Sequence, residues 1–246
     1  MLPEGGPPPT PPEPTSPGAG APPRKRRSLR FLTPELIVAT AARVVEEDGP
    51  DALTFRRLGS ELGVDHTAVL RHFGNKDDLT LALTDWLLAD ALGGFEPAAT
   101  WRDTLSELAW RIRRSCLAHP AVAVYAVGRT ARRDSEFRGA DTVLGALFSA
   151  GLEGAEAARV YRALVAVALS YAGFEAAHLA LDPDARAGDR QAWSREYLAA
   201  SPEAYPNIAA VAPHLAAIEA EDQFTTILDL FLDAVELRAS RASGHD

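Results

Sequence analysis

The chain contains one cysteine and one methionine in 246 residues. Cys116 has no second thiol with which to form an intramolecular disulfide, which excludes the cross-linked framework of a small secreted domain. Lysine is nearly absent as well: only Lys25 and Lys76 occur, and the rest of the 25 basic residues are arginine. The histidines His66, His72, His119, His178, His214 and His245 are scattered. No HExxH, CxxC or paired-carboxylate spacing gathers metal ligands or acid–base partners, so neither a metal nor a cofactor is expected. A Gly-rich phosphate loop is also missing. Cys116 follows Arg113 and Arg114 in a helical stretch without an adjacent base, which reads as a buried thiol rather than a nucleophile, and the protein is not expected to be an enzyme. The longest charge-free apolar run, Ala163 to Phe174, falls short of the roughly 20 residues that cross a bilayer. No charged start, apolar stretch and cleavage site marks export. These absences predict a cytoplasmic location and no membrane partner.

What is present is apolar material for a core, at 47% hydrophobic residues, in a length that permits one large domain or two small ones. The net charge of −9 excludes coating of nucleic acid by bulk charge, so any DNA contact must be local. Residues 1–23 hold ten of the 18 prolines and almost no large apolar side chain, which predicts disorder. Arg24, Lys25, Arg26, Arg27 and then Arg30 follow. This basic run is either an arm that touches phosphates or a solvated linker. The domain expectation is a Pro-rich tail with a basic arm at 1–29, a helix-turn-helix head at 30–94 and a second helical domain at 95–240.

From Thr33 onward, apolar residues recur at three and four positions with no alternating strand pattern, so the fold class is all-α. Thr33 before Pro34 reads as an N-cap with proline at the first helical position, and Leu36, Ile37, Ala41, Val44 and Val45 form one face until Asp48, Gly49 and Pro50 stop the helix. Thr54 caps a second helix, Gly63 makes a tight turn, Asp65 caps a third, and Asn75 caps a fourth that runs to Gly93 and Gly94. Further helices are predicted at about 101–118, 121–127, 135–150 and 155–181. Residues 182–221 carry four prolines, at 183, 202, 206 and 213, and read as a connector around one short helix near 191–199. A final helix is predicted at 222–238. No fixed-period repeat is visible.

The stretch from Leu53 to Lys76 places two short helices around the Gly63 turn, a helix-turn-helix pattern whose inward residues Leu58, Leu62, Val64, Val69 and Phe73 hold the third helix outward. A helix presented in this way fits the major groove. The predicted DNA-facing set is Thr54, Arg56, His66, Thr67, Ala68, Leu70, Arg71, His72 and Lys76, with the arm residues Arg24 to Arg27. Arg71 is assigned to guanine or to a phosphate, His66 and Thr67 to bases or backbone oxygens, and Ala68 and Leu70 to apolar contacts such as a thymine methyl. Arg56 and Lys76 are assigned to phosphates, and His72 either to DNA or to packing against the first helix.

Residues 32–92 resemble the DNA-binding domain of the TetR family of transcriptional regulators, which ends in a Tyr-x-His-Phe-x-Asn-Lys type stretch, here Leu70-Arg-His-Phe-Gly-Asn-Lys76. Leu70 departs from the tyrosine usual there, which removes one hydroxyl contact to phosphate. Trp101, the helix end at His119, Gly128-Arg-Thr130 and Ser149-Ala-Gly-Leu152 resemble landmarks of the tetracycline-repressor-like C-terminal domain. The resemblance implies an effector-binding and dimerisation domain. It places Ala126 and Ala177 where the tetracycline repressor has a pocket histidine and glutamate, and alanine cannot ligate a metal, which argues against a magnesium–tetracycline ligand.

For an effector pocket the candidates are Leu108, Ile112, Tyr125, Arg129, Tyr171 and Phe174, with ordinary core packing as the other reading of each. For a twofold dimer interface they are Tyr161, Leu164, Phe224, Ile227, Leu228, Phe231 and Val235, because a helix as apolar as 160–174 cannot face water on any side. The expected function is a ligand-responsive repressor that binds a palindromic operator as a homodimer and is released by a small-molecule effector. The alternative is a helical ligand-binding or protein-interaction module without sequence-specific DNA binding.

Overall fold

The computed structural model describes residues 32–243, and these form eleven α-helices with no strand. The Pro-rich tail and the basic residues Arg24, Lys25, Arg26 and Arg27 lie outside the described residues, as does His245.

The first helix, α1 (Pro34–Asp48), starts as cap chemistry dictates: Thr33 Oγ1 accepts from the Leu36 N–H at 3.3 Å and Pro34 occupies the first turn. It buries Ile37, Ala41, Val44 and Val45 completely. Helix α2 (Phe55–Leu62) is capped by the Thr54 hydroxyl. It ends at Gly63, whose φ of 68° is left-handed and lets the Val64 N–H return to the Gly59 carbonyl at 2.9 Å. Helix α3 (His66–Leu70) begins at Asp65. The turn brings α2 so close to α3 that a Cβ at Gly59 would lie 2.9 Å from the Val64 carbonyl oxygen and 3.0 Å from the His66 nitrogen. Glycine at 59 is therefore what sets the separation of the two helices.

Asn75 Oδ1 caps α4 (Lys76–Leu92), which is buried around most of its circumference, from Leu79 through Thr84 and at Leu87 and Ala91. It runs from the head into the rest of the protein and packs on α1, α5, α6 and α7. Behind it lie α5 (Trp101–Ala118), α6 (Pro120–Ala126), α7 (Asp134–Ser149) and α8 (Gly154–Leu179). One continuous cluster of buried residues joins Ile37, Leu58 and Phe73 of the head to Cys116, Val122, Ala126 and Ala172 behind it. The sequence break at 93–94 is thus a turn in the chain over a shared core.

Helix α8 is long and apolar enough, by length and composition, to cross a membrane. The charge-free run proposed from sequence is only its middle: the helix also carries Glu156, Arg159, Arg162 and Glu175, and it packs against α5, α6 and α7. The expected connector is mostly helical, contrary to the sequence reading. Pro183 and Pro206 sit at the first positions of α9 (Pro183–Ala192) and α10 (Pro206–Leu215), where the missing N–H costs nothing, so they start helices rather than break them. The predicted helix near 191–199 is a π-helical turn, Trp193–Tyr197, continuing from α9. This segment carries exposed Trp193, Leu198, Tyr205, Val211 and Ile218. The chain closes with α11 (Ala220–Ser243), which lies along α8.

Candidate nucleic-acid interface and effector cavity

Helix α3 is fixed from below and open above. Leu58 and Val69 are fully buried and Phe73 nearly so. Thr67, Leu70, Arg71 and His72 are exposed, whereas His66 and Ala68 are half-buried. The outward rim is therefore narrower than the sequence assigns. Asp65 Oδ1 accepts both the Thr67 N–H at 2.8 Å and the Thr67 hydroxyl at 2.6 Å, and these bonds, the hydroxyl first, hold its carboxyl below the usual range. Arg56 and Thr54 are exposed beside this rim, and the Thr54 hydroxyl is already committed to its cap. Lys76 donates to the Pro50 carbonyl at 3.2 Å and lies 6.0 Å from the centre of the Tyr125 ring. That contact places Tyr125 at the junction of α4 and α6, where its hydroxyl shares a 2.9 Å hydrogen bond with Thr80.

The head is tied to α6 by a bond that crosses 75 residues of sequence. Glu46, near the end of α1, accepts the Val122 N–H at 2.9 Å and the Ala121 N–H at 3.4 Å, and so caps the first turn of α6. At the other end of α6 the Thr84 hydroxyl donates to the Ala126 carbonyl at 3.1 Å. No local sequence signal marks either contact.

Between α4, α5, α7 and α8 lies a cavity of about 100 Å³ that is partly open to solvent. Its walls are largely aliphatic, among them Leu87, Leu92, Leu105, Val143 and Leu169, and the polar groups at its surface include Thr84, Arg129, Ser135, Glu136 and the Tyr161 ring with its hydroxyl. Of the six residues proposed for a pocket, Leu108, Ile112 and Arg129 line it. Tyr125, Tyr171 and Phe174 do not. Tyr171 stacks on Phe224 with ring centres 5.4 Å apart, and Phe174 is 67% exposed on the outer face of α8. An aromatic residue on a helix with two apolar faces gives no sign of which face turns inward.

The dimer candidates divide in the same way. Tyr161 and Leu164 line the cavity. Phe224, Leu228 and Val235 are buried inside the protomer, and Ile227 and Phe231 are half-buried. Phe224 meets Trp110 edge-on at 4.8 Å beside Arg113, which makes paired bonds of 2.6 and 2.7 Å to Glu175 and is held charged by them. The exposed apolar positions of α11 are instead Leu230 and Leu237. Between α8 and α11 runs a groove lined by Arg159, Val160, Ala163, Phe231, Ala234, Val235 and Arg238.

Burial raises the Cys116 thiol to about 11, in keeping with an inert side chain in the cavity wall. Among the described residues no cluster of His, Cys, Asp and Glu fits a metal ion.

Comparison with known proteins places this geometry. The family model for bacterial regulatory proteins of the tetR family matches residues 37–83, and that for the tetracyclin repressor-like C-terminal domain matches residues 94–238. An HTH-type transcriptional regulator of Saccharopolyspora erythraea is 29% identical over 188 residues, which is 76% of this chain and 78% of that protein. An HTH-type transcriptional repressor of Mycobacterium tuberculosis is 30% identical over 156 residues, covering 61% of this chain and 58% of its own length. Apo ActR from Streptomyces coelicolor shares the fold with a TM-score of 0.74 at 24% identity, over 86% of this chain and 98% of that one. With a family match spanning more than half of its length behind a matched helix-turn-helix head, the chain belongs to the TetR family of bacterial transcriptional regulators.

Proposed function

We propose that the protein represses transcription as a homodimer that reads a palindromic operator through Thr67, Leu70 and Arg71, oriented by Arg56 and Lys76 on phosphates, and releases it when a small molecule fills the cavity behind α4. The observation that carries this reading is the exposed rim of α3 on a fully packed base, with Arg56, Arg71 and Lys76 all exposed around it. Arginine in that position offers a bidentate donor to guanine, and Leu70 an apolar contact to a thymine methyl. The basic run at 24–27 adds contacts to the phosphate backbone. Repression places the protein in the cytoplasm with the chromosome, and no step of this reading is catalytic.

The dimer forms on the outer faces of α8 and α11, where Ala163, Phe174, Leu230, Ala234 and Leu237 take the place of the inward residues first proposed. Small residues on α8 let a second copy approach closely, and a twofold four-helix bundle would cover both helices. Repression by release then follows from a population shift: the ligand prefers an arrangement of α4 in which the two heads no longer fit successive turns of DNA.

The test is salt-dependent binding of the full chain to DNA selected from a random pool. Preference for a palindrome supports the reading, and Arg71→Ala should cost about 1–3 kcal/mol and relax the preference at one base pair. Weak binding that is equal for all sequences favours a ligand-binding module without an operator. Removing residues 1–30 should lower affinity and flatten the salt slope while leaving the preferred sequence unchanged.

A further inference from the structure

The cavity has two charged groups at its surface, Arg129 in the loop joining α6 to α7 and Glu136 in the first turn of α7. One Glu136 oxygen accepts the Arg132 N–H at 2.5 Å, and the Glu136 N–H donates to Asp85 of α4 at 3.1 Å. Arg129 reaches across the mouth and donates to Asp77 in the first turn of α4 at 2.6 Å. Four residues on, Arg133 binds Asp78 at 2.5 Å and the Asp78 carbonyl at 3.2 Å. The start of α4, one residue after Lys76, is thus latched to the cavity by two arginines, of which only Arg129 lines it. Between the two arginines, Arg132 has a φ of 56°, and no other non-glycine residue among those described has a positive φ.

The Arg129 and Asp77 side chains are 42% and 57% exposed, so their pair is weakly held. A single nitrogen of Arg129 is engaged by Asp77, and a planar guanidinium has four further N–H donors on its other edges. Tyr161, whose ring lies in the cavity wall, adds a hydroxyl whose ionisation is disfavoured first by burial and then by Glu136, so it stays a donor. Walls of leucine and valine beneath one permanent cation select an apolar body carrying an acid, and Glu136 turns that acid toward Arg129.

We propose that the effector is an apolar organic acid and that Arg129 is the exchangeable clamp: the ligand's acid takes the guanidinium from Asp77 and unlatches the first turn of α4. This rests on the reading of the cavity as the effector site. It makes Arg129 both the specificity residue and the point at which occupancy is passed to the head.

The experiment uses two fluorescent dyes on the full chain: anilinonaphthalene sulfonate, an apolar anion, and its uncharged parent phenylnaphthylamine. The wild-type protein should hold the sulfonate more tightly. Arg129→Gln should abolish that preference, and Arg129→Lys, which keeps the charge, should retain part of it. Asp77→Asn should tighten the sulfonate about two- to five-fold, the range set by an exposed ion pair, and leave the neutral dye unchanged. Equal affinity for the two dyes, or a preference that survives Arg129→Gln, overturns the acid class. An unchanged sulfonate affinity in Asp77→Asn overturns the exchange. Failure of the cavity reading shows differently: neither dye binds, or both bind as before after Ala140→Phe fills the space in a protein of unchanged helical signal, and either result removes this proposal as well.

Discussion

In the reading head, Leu58 and Val69 are fully buried, Phe73 is 3% exposed, and a Cβ on Gly59 would touch backbone. A few turns away, α4, α5, α7 and α8 leave a cavity of about 100 Å³ among side chains of the same kinds. The head has its interior filled and its chemistry outside, whereas the rear keeps its chemistry inside and leaves the interior partly open. Interiors packed at crystal-like density transmit strain, and gaps absorb it. A surface that must match a rigid groove gains from the first property, and a cavity that must admit a guest gains from the second.

The contrast is broken most directly by matched truncations. Leu58→Ala in the filled head should cost about 3–5 kcal/mol, while Leu169→Ala, in the wall of the open space, should cost about 1–2 kcal/mol because that side chain already lacks neighbours on one side. Urea unfolding of both variants measures the difference, and equal losses would show that the rear is as tightly packed as the head. A second measure is stability at high pH. The Cys116 thiol titrates near 9.0 when solvated and near 11 in the fold, so the unfolded chain ionises first and stability falls as pH rises through that interval. The loss should reach about 2 kcal/mol by pH 11 and disappear in Cys116→Ala. A flat difference between the two proteins would mean that water reaches the thiol from the cavity. The smallest effect concerns the joint between the two regions. Glu46→Ala removes the cap on α6 and should cost about 1 kcal/mol of stability. It should weaken operator binding more than dye binding, which paired titrations would detect.

The parts legible in the sequence were those whose chemistry is local. Thr33, Thr54, Asp65 and Asn75 each cap the helix that follows within three residues, and Gly63 must be left-handed where the chain reverses, so the head could be read residue by residue. Cys116 could be read as buried because no base lies beside it in the helix to activate a thiol. The rear was less legible for two reasons. Helices α8 and α11 are apolar on more than one side, so periodicity found the helices but not the direction of Tyr161, Tyr171, Phe174 or Phe224. The contacts that join the regions, Glu46 to Val122 of α6 and Arg129 to Asp77, span 76 and 52 residues and leave no trace in any local window. Pro183 and Pro206 show a third limit, since proline carries opposite meanings at a helix start and in its interior.

Helix α3 has five residues, which at 1.5 Å per residue makes it about 7.5 Å long. Base pairs are stacked about 3.4 Å apart, so one such helix passes only two or three letters of text. A bacterial chromosome repeats a phrase that short thousands of times. In the dimer proposed above, the discriminating power resides in the spacing between two readers as much as in either one, and a tilt too slight to disturb any single contact is enough to make the address unreadable.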